Sequence, residues 1–238
     1  MGPSMETGES DGGWRQLFES HCEEKMKQYT DITVLLDRSG SMQAIKGPME
    51  TAFNTFVEEH KSIPSSRLTL IQFDDNDPQE IVYQGVPIAY AEKLVIRPRG
   101  NTPLLDAFCQ AIDATGARLA NIPESDRPDQ VLFVVITDGQ ENASVKQQRY
   151  DVRNRVNHQR SQYKWQFVYL GANQDAIAEA QSYGIPKDFA MNYKATTGGT
   201  RAMGAALASS TIAYAHNVNR GATAPEFTDT QRKQAEEK

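Results

Sequence analysis

The stretch DITVLLDRSGSMQAI, residues 31–45, runs an apolar segment into a carboxylate, Asp37, followed by two serines at alternate positions, Ser39 and Ser41. Residues 31–37 have the length and β-branched enrichment of a buried strand. An ionised carboxylate at the mouth of such a strand needs a partner, because charge is rarely left near a core without one. A backbone amide, a cation of the protein or a metal ion would serve. Beyond it, Met49, Ala52, Phe53, Phe56, Val57 and His60 fall at helical spacing, with Pro48 placed for a first turn.

Working outward, the same alternation continues. RLTLIQF (67–73) reads as a second strand, and the polar turn DDNDPQ leads to a third, EIVYQG (80–85), as in a hairpin. Leu104, Leu105, Phe108, Ile112 and Leu119 mark a helix that begins at Pro103. QVLFVVITDG (130–139) is the most apolar run, and such a run belongs at a sheet centre covered on both faces. Val145, Val152 and Val156 are expected to line one side of a long polar helix. WQFVYLG (165–171) is a strand, QDAIAEAQSYG (174–184) a short helix with a glycine stop, and FAMNY (189–193) an edge strand. A last helix, rich in small residues, is expected over 196–218. The succession predicts an α/β fold: one doubly wound, mostly parallel, Rossmann-like sheet with an antiparallel edge strand and helices on both faces. We expect residues 1–13 to be a disordered lead or cloning remnant, and 14–220 a single domain opening with a helix at 14–28. Residues 221–238 read as a polar flexible tail.

Composition bounds the function. The 238 residues carry 25 Lys and Arg against 31 Asp and Glu, a net charge of −6, which disfavours a general nucleic-acid binder. Cys22 and Cys109 form no disulfide framework or zinc pattern. The longest apolar runs, such as VLFVVI (131–136), are too short to cross a bilayer, so no membrane partner is expected. No charged-then-apolar leader opens the chain, and a cytoplasmic, reducing setting is expected.

In an open parallel sheet, ligands bind beyond the carboxyl ends of the strands, where the winding reverses. Asp37, Ser39 and Ser41 lie just past the first strand. Thr102 lies in RGNTPLL (99–105), and Asp138 closes the most apolar strand. Three segments thus deliver two carboxylates and three hydroxyls to one edge. An all-oxygen set suits a hard cation, Mg²⁺ or alternatively Mn²⁺ or Ca²⁺. Each residue also has a plainer role: Thr102 as a helix N-cap, Asp138-Gly139 as a turn, and the serines as loop chemistry. Their coincidence at one edge favours the cation.

Together DRSGSM (37–42), GNTPL (100–104) and ITDGQEN (136–142) resemble the von Willebrand factor A domain with an intact metal-ion-dependent adhesion site, over about residues 31–217. The likeness is to single-domain members from bacteria or their phages. It implies that Ser39, Ser41 and Thr102 bind the metal directly or nearly so, and that Asp37 and Asp138 assist through coordinated water or by direct contact. It also implies a protein partner that presents a Glu or Asp to the metal.

Three other readings compete with this one. A metal-dependent hydrolase lacks an imidazole base, since His21, His60, His158 and His216 are all expected away from the carboxyl edge. Nucleic acid would use Lys146, Arg149, Arg153 and Arg160, read as one helix face with Arg155 and Lys164 nearby; a solvated face is the simpler account. The acidic turn Asp74, Asp75 and Asp77 reads as solvated, with weak Ca²⁺ binding the alternative.

Overall fold

In the computed structural model, residues 29–61, 66–172, 175–216 and 226–237 are described. The expected lead, the helix at 14–28, Cys22 and His21 lie outside them. Strand β1 (Thr30–Asp37) is buried along its whole length and pairs in parallel with β2 (Ser66–Phe73) on one side and β4 (Gln130–Thr137) on the other. With β3 (Glu80–Pro87), β5 (Gln166–Ala172) and β6 (Ala190–Tyr193), the six-stranded order is β3-β2-β1-β4-β5-β6, and only β3 is antiparallel. This is the doubly wound sheet expected from the alternating pattern. β1 and β4, both buried on both faces, occupy its centre, as continuous apolar runs must.

The crossover from β1 to β2 runs through α1 (Lys46–His60), and the next crossover runs through α2 (Leu104–Ala120) to β4 on the opposite flank of β1. The winding therefore reverses between β1 and β4, and their carboxyl ends border the crevice where such sheets take ligands. α1 buries Met49, Phe53, Phe56 and Val57, the residues its spacing predicts. α2 sends Phe108 into an aromatic layer, 5.5 Å between ring centres from Phe133 and 5.9 Å from Tyr183.

On the α1 side lies α5 (Thr197–His216). A Cβ on Gly204 would stand 2.7 Å from the Ala52 Cβ, so the close approach of these helices needs glycine there. His60 stitches the same pair: its Nδ1 meets the Phe56 carbonyl at 2.8 Å and its Nε2 the Thr211 hydroxyl at 2.8 Å. Burial lowers the His60 pKa to about 4, so the ring is neutral at pH 7.

Three local expectations are corrected. The polar helix α3 is Arg149–Tyr163, so Val145 and Lys146 stand in the preceding loop, and Val145 is 87% exposed. The helix starts later because Gln148 and Asp151 form a capping box, with Gln148 N–H donating to Asp151 Oδ2 at 2.8 Å. α2 is not capped by Thr102, for reasons given below. Within the segment read as a flexible tail, Asp229–Glu237 forms a helix, α6. It packs on α5 and β6, buries Ala235, and sets Arg232 on the Ala190, Lys187 and Asp188 carbonyls. Asn192 Nδ2 donates to Glu236 Oε1 at 3.0 Å and Gln231 Nε2 to Ser209 Oγ at 3.0 Å, so a segment of polar composition docks through specific bonds as well as Ala235. The remaining helix, α4 (Ala176–Ser182), joins β5 to β6. Among the described residues no helix is long and apolar enough to cross a membrane.

Candidate metal centre

β1 delivers Asp37 to the crevice with 0% exposure. Its Oδ1 accepts the Ser39 N–H at 2.7 Å and its Oδ2 the Thr137 hydroxyl at 2.6 Å. Both donors are neutral. The loop after β1 then turns through a short 3₁₀ segment, Gly40–Ala44, which brings Ser39 and Ser41 to the same side. Their hydroxyl oxygens are 3.0 Å apart, and Ser41 Oγ donates to Asp138 Oδ1 at 2.7 Å. Thr102 arrives from the loop before α2, 3% exposed. A Cβ on Gly139 would stand 3.4 Å from Ser41 Oγ and 3.4 Å from Thr102 Oγ1, so both hydroxyls border this glycine. The five residues singled out in the sequence are thus gathered at the ends of β1 and β4.

Burial lifts the Asp37 carboxyl to about 6, against the opposing hydrogen bonds from Thr137 and Ser39, and nearby Asp138 lifts it further. Burial likewise raises Asp138, partly offset by Ser41. Among the described residues neither carboxylate has an arginine, lysine or histidine partner. Arg38, between Asp37 and Ser39, points away to Asp74 instead, with its Nε 2.5 Å from Asp74 Oδ2.

The donors fit a divalent ion. Adjacent oxygens of an octahedron with metal–oxygen distances of about 2.0–2.1 Å lie about 2.9 Å apart, which the Ser39–Ser41 and Ser41–Asp138 separations match. Two buried carboxylates without a cation supply the charge such an ion balances. Among the described residues no three His, Cys, Asp or Glu side chains gather as a metal cluster; this set depends on hydroxyls.

Several residues were not singled out from the sequence. Thr137 holds Asp37, and its main-chain carbonyl accepts the Tyr193 hydroxyl at 3.2 Å. Glu141 and Asn142, in the loop after Asp138, reach the start of α2. Glu141 Oε2 accepts the Leu105 N–H at 2.9 Å, and Ser144 Oγ accepts the Asp106 N–H at 3.1 Å. These bonds supply the cap expected of Thr102, leaving its hydroxyl available to the crevice. The advance signal for Thr137, Glu141 and Asn142 was their place in ITDGQEN, and Ser144 lies outside it.

Two loops beside the site are tied to it through main-chain bonds, Arg99 N–H to the Arg38 carbonyl at 3.0 Å and Gly40 N–H to the Gly100 carbonyl at 3.1 Å. Gly100 adopts φ +64°, and the Asp75 side chain fills the space where its Cβ would stand. The turn read as solvated is anchored. Asp74 is fully buried, accepts from Arg38, Arg99 and the Asn76 and Asp77 amides, and so is no open cation site.

No family model and no curated protein matches the chain. Solved structures share its fold. Proximal thread matrix protein 1 from the mussel byssus superposes with a TM-score of 0.56 at 15% identity, covering 75% of this chain and 47% of that one. A von Willebrand factor type A protein from Catenulispora acidiphila gives 0.53 at 10% identity, covering 78% and 43%. The pilus adhesin SpaC from Lactobacillus rhamnosus GG, in its open conformation, gives 0.54 at 11%, covering 79% and 30%. The chain therefore has the von Willebrand factor A fold, and it spans less than half the length of each of these proteins.

Proposed function

We propose that this chain is a protein-binding module that uses a divalent cation, Mg²⁺ or alternatively Mn²⁺ or Ca²⁺, to capture a Glu or Asp of a partner. Ser39, Ser41 and Thr102 would hold the ion, with Asp37 and Asp138 assisting directly or through water. The observation that carries this reading is Asp37, wholly buried among neutral donors beside a second buried acid, Asp138, at the switch point of the sheet. Bound there, the ion supplies a Lewis-acidic position for an anionic oxygen. The protein's own residues do the rest: the hydroxyls orient without neutralising the charge, beside Gly139. By their names, two of the structural neighbours are a matrix protein and an adhesin, which agrees with a binding role.

The reading assigns no catalysis. His60 is committed to the α1–α5 contact, and no imidazole reaches Ser39 or Ser41 among the described bonds. Nucleic-acid binding by α3 is disfavoured because much of the basic stripe is spent within the fold. Arg149 pairs with Glu179 at 2.5 Å, Arg155 with Asp113 at 2.9 Å, and Arg160 donates to the Gly184 carbonyl at 2.7 Å.

The test is calorimetric titration of Mg²⁺ into wild type and Asp37→Ala, followed by protein capture in Mg²⁺ and in chelator. Wild type should bind the ion and capture protein that chelator releases, while folded Asp37→Ala should do neither. Equal Mg²⁺ affinity in the two proteins would overturn the assignment, and salt-sensitive retention on heparin would favour the α3 face.

A further inference from the structure

The loop after β4 does more than carry Asp138. Asn142 grips the main chain of Thr102 from both sides: its Oδ1 accepts the Thr102 N–H at 2.9 Å, and its own N–H donates to the Thr102 carbonyl at 3.2 Å. Pro103 follows Thr102 and has no N–H to donate. The rest of the loop is fastened to α2 by its acids. Glu141 accepts the Leu105, Ala143 and Ser144 amides, and Asp106 accepts those of Val145, Lys146 and Gln147 at 2.7–3.3 Å. Asp138 and Thr102 lie 36 residues apart in sequence, and these bonds tie the loops that carry them to each other.

We propose that Asn142 is a positioning residue that sets where the Thr102 hydroxyl stands relative to Asp138 and so tunes cation affinity. The inference rests on the functional reading above. Asn142 itself is exposed, and nothing in its burial explains an asparagine there. Its side-chain oxygen acts on the threonine main chain and is spent in doing so. A small displacement of Thr102 matters because an octahedral site accepts little error in oxygen position. Residues that orient metal ligands typically contribute about 10–100-fold to affinity.

The test compares wild type, Asn142→Ala and Asn142→Asp by Mg²⁺ calorimetry, with melting in chelator as the control. Asn142→Ala should bind Mg²⁺ at least about tenfold more weakly while melting within about 4 °C of wild type. Asn142→Asp keeps an acceptor for the Thr102 N–H and should recover wild-type affinity or exceed it. Wild-type affinity in Asn142→Ala would overturn the inference and leave the metal site standing. A large drop in melting in chelator, with affinity of the folded fraction unchanged, would make Asn142 structural only. Failure of wild type to bind Mg²⁺ at all would overturn both readings.

Discussion

Two buried acids stand side by side at the carboxyl edge and are treated in opposite ways. Asp37 ends β1 in register with Phe73, and Asp74 is the next residue beyond Phe73 on the neighbouring strand. Both are 0% exposed. Burial would raise the Asp74 carboxyl, but hydrogen bonds from Arg99, from the Asp77 and Asn76 amides and from Arg38 outweigh it and hold the pKa below the ordinary carboxylate value. Among the described residues Asp37 has only neutral donors, and burial carries it up to about 6. Asp74 is completed by the protein and works as a clamp joining the β2–β3 turn to the loops that bear Ser39 and Thr102. Among the described residues Asp37 has no such completion, which is the feature on which the proposed cation site rests.

The largest effect should come from breaking the clamp. Among the described residues, Asp74→Ala leaves Arg38 buried with only Glu80, itself half exposed, as an acidic partner. Loss of one member of a buried pair costs about 3–5 kcal/mol, to be read from urea or thermal unfolding in chelator. A cost below about 1 kcal/mol would mean that the arginines find water instead and that the two acids are not so different.

Asp37→Asn should act in the other direction. The folded-state pKa is raised, so between about 4 and 6 the folded protein holds more protons than the unfolded chain, and metal-free stability falls as pH rises through that window. In chelator at pH 7 the variant should therefore be more stable than wild type, by on the order of 1–3 kcal/mol, with the difference vanishing near pH 4. With Mg²⁺ at about 100 times its Kd the order should reverse, since wild type gains about 2.7 kcal/mol and the variant gains nothing. A variant less stable than wild type in chelator at every pH would show that the protein alone satisfies Asp37. Asp74 has the opposite slope: its contribution is present at neutral pH and is lost as acid protonates it.

The smallest effect sharpens the clamp. Arg99 is half exposed and shares Asp74 with the buried Arg38. Arg99→Gln should shift melting by no more than about 2 °C, because solvent replaces much of an exposed pair. A shift as large as that of Asp74→Ala would make Arg99, and not Arg38, the main counterion.

The strands and the five oxygen-bearing residues were legible because each depended on neighbours in sequence: an apolar run, a carboxylate at its end, hydroxyls at fixed offsets. The Asp74 clamp was not, since its arginines stand 36 and 25 positions away and an isolated DDND reads as a solvated turn. Thr102 looked like a cap because Thr before Pro is good local cap chemistry. The cap came from Glu141 and Ser144, across the crevice. Val145 matched a helical period by chance of spacing, while the capping box at Gln148 and Asp151 decided where the helix starts. The polar segment containing α6 was read from composition, which cannot report that Ala235 and Arg232 find docking points on α5 and β6.

By itself, then, the sequence determined the alternation of strands and helices, the central place of β4, and the carboxylates and hydroxyls at the ends of β1 and β4. These follow from the periodicity and burial preference of contiguous residues, which act over a few positions. Only the tertiary structure decided which acid receives arginines and which is left with neutral donors, and which distant loop holds Thr102. Ion pairs and side-chain-to-backbone bonds form between segments that the chain path brings together, and their partners cannot be read from local spacing.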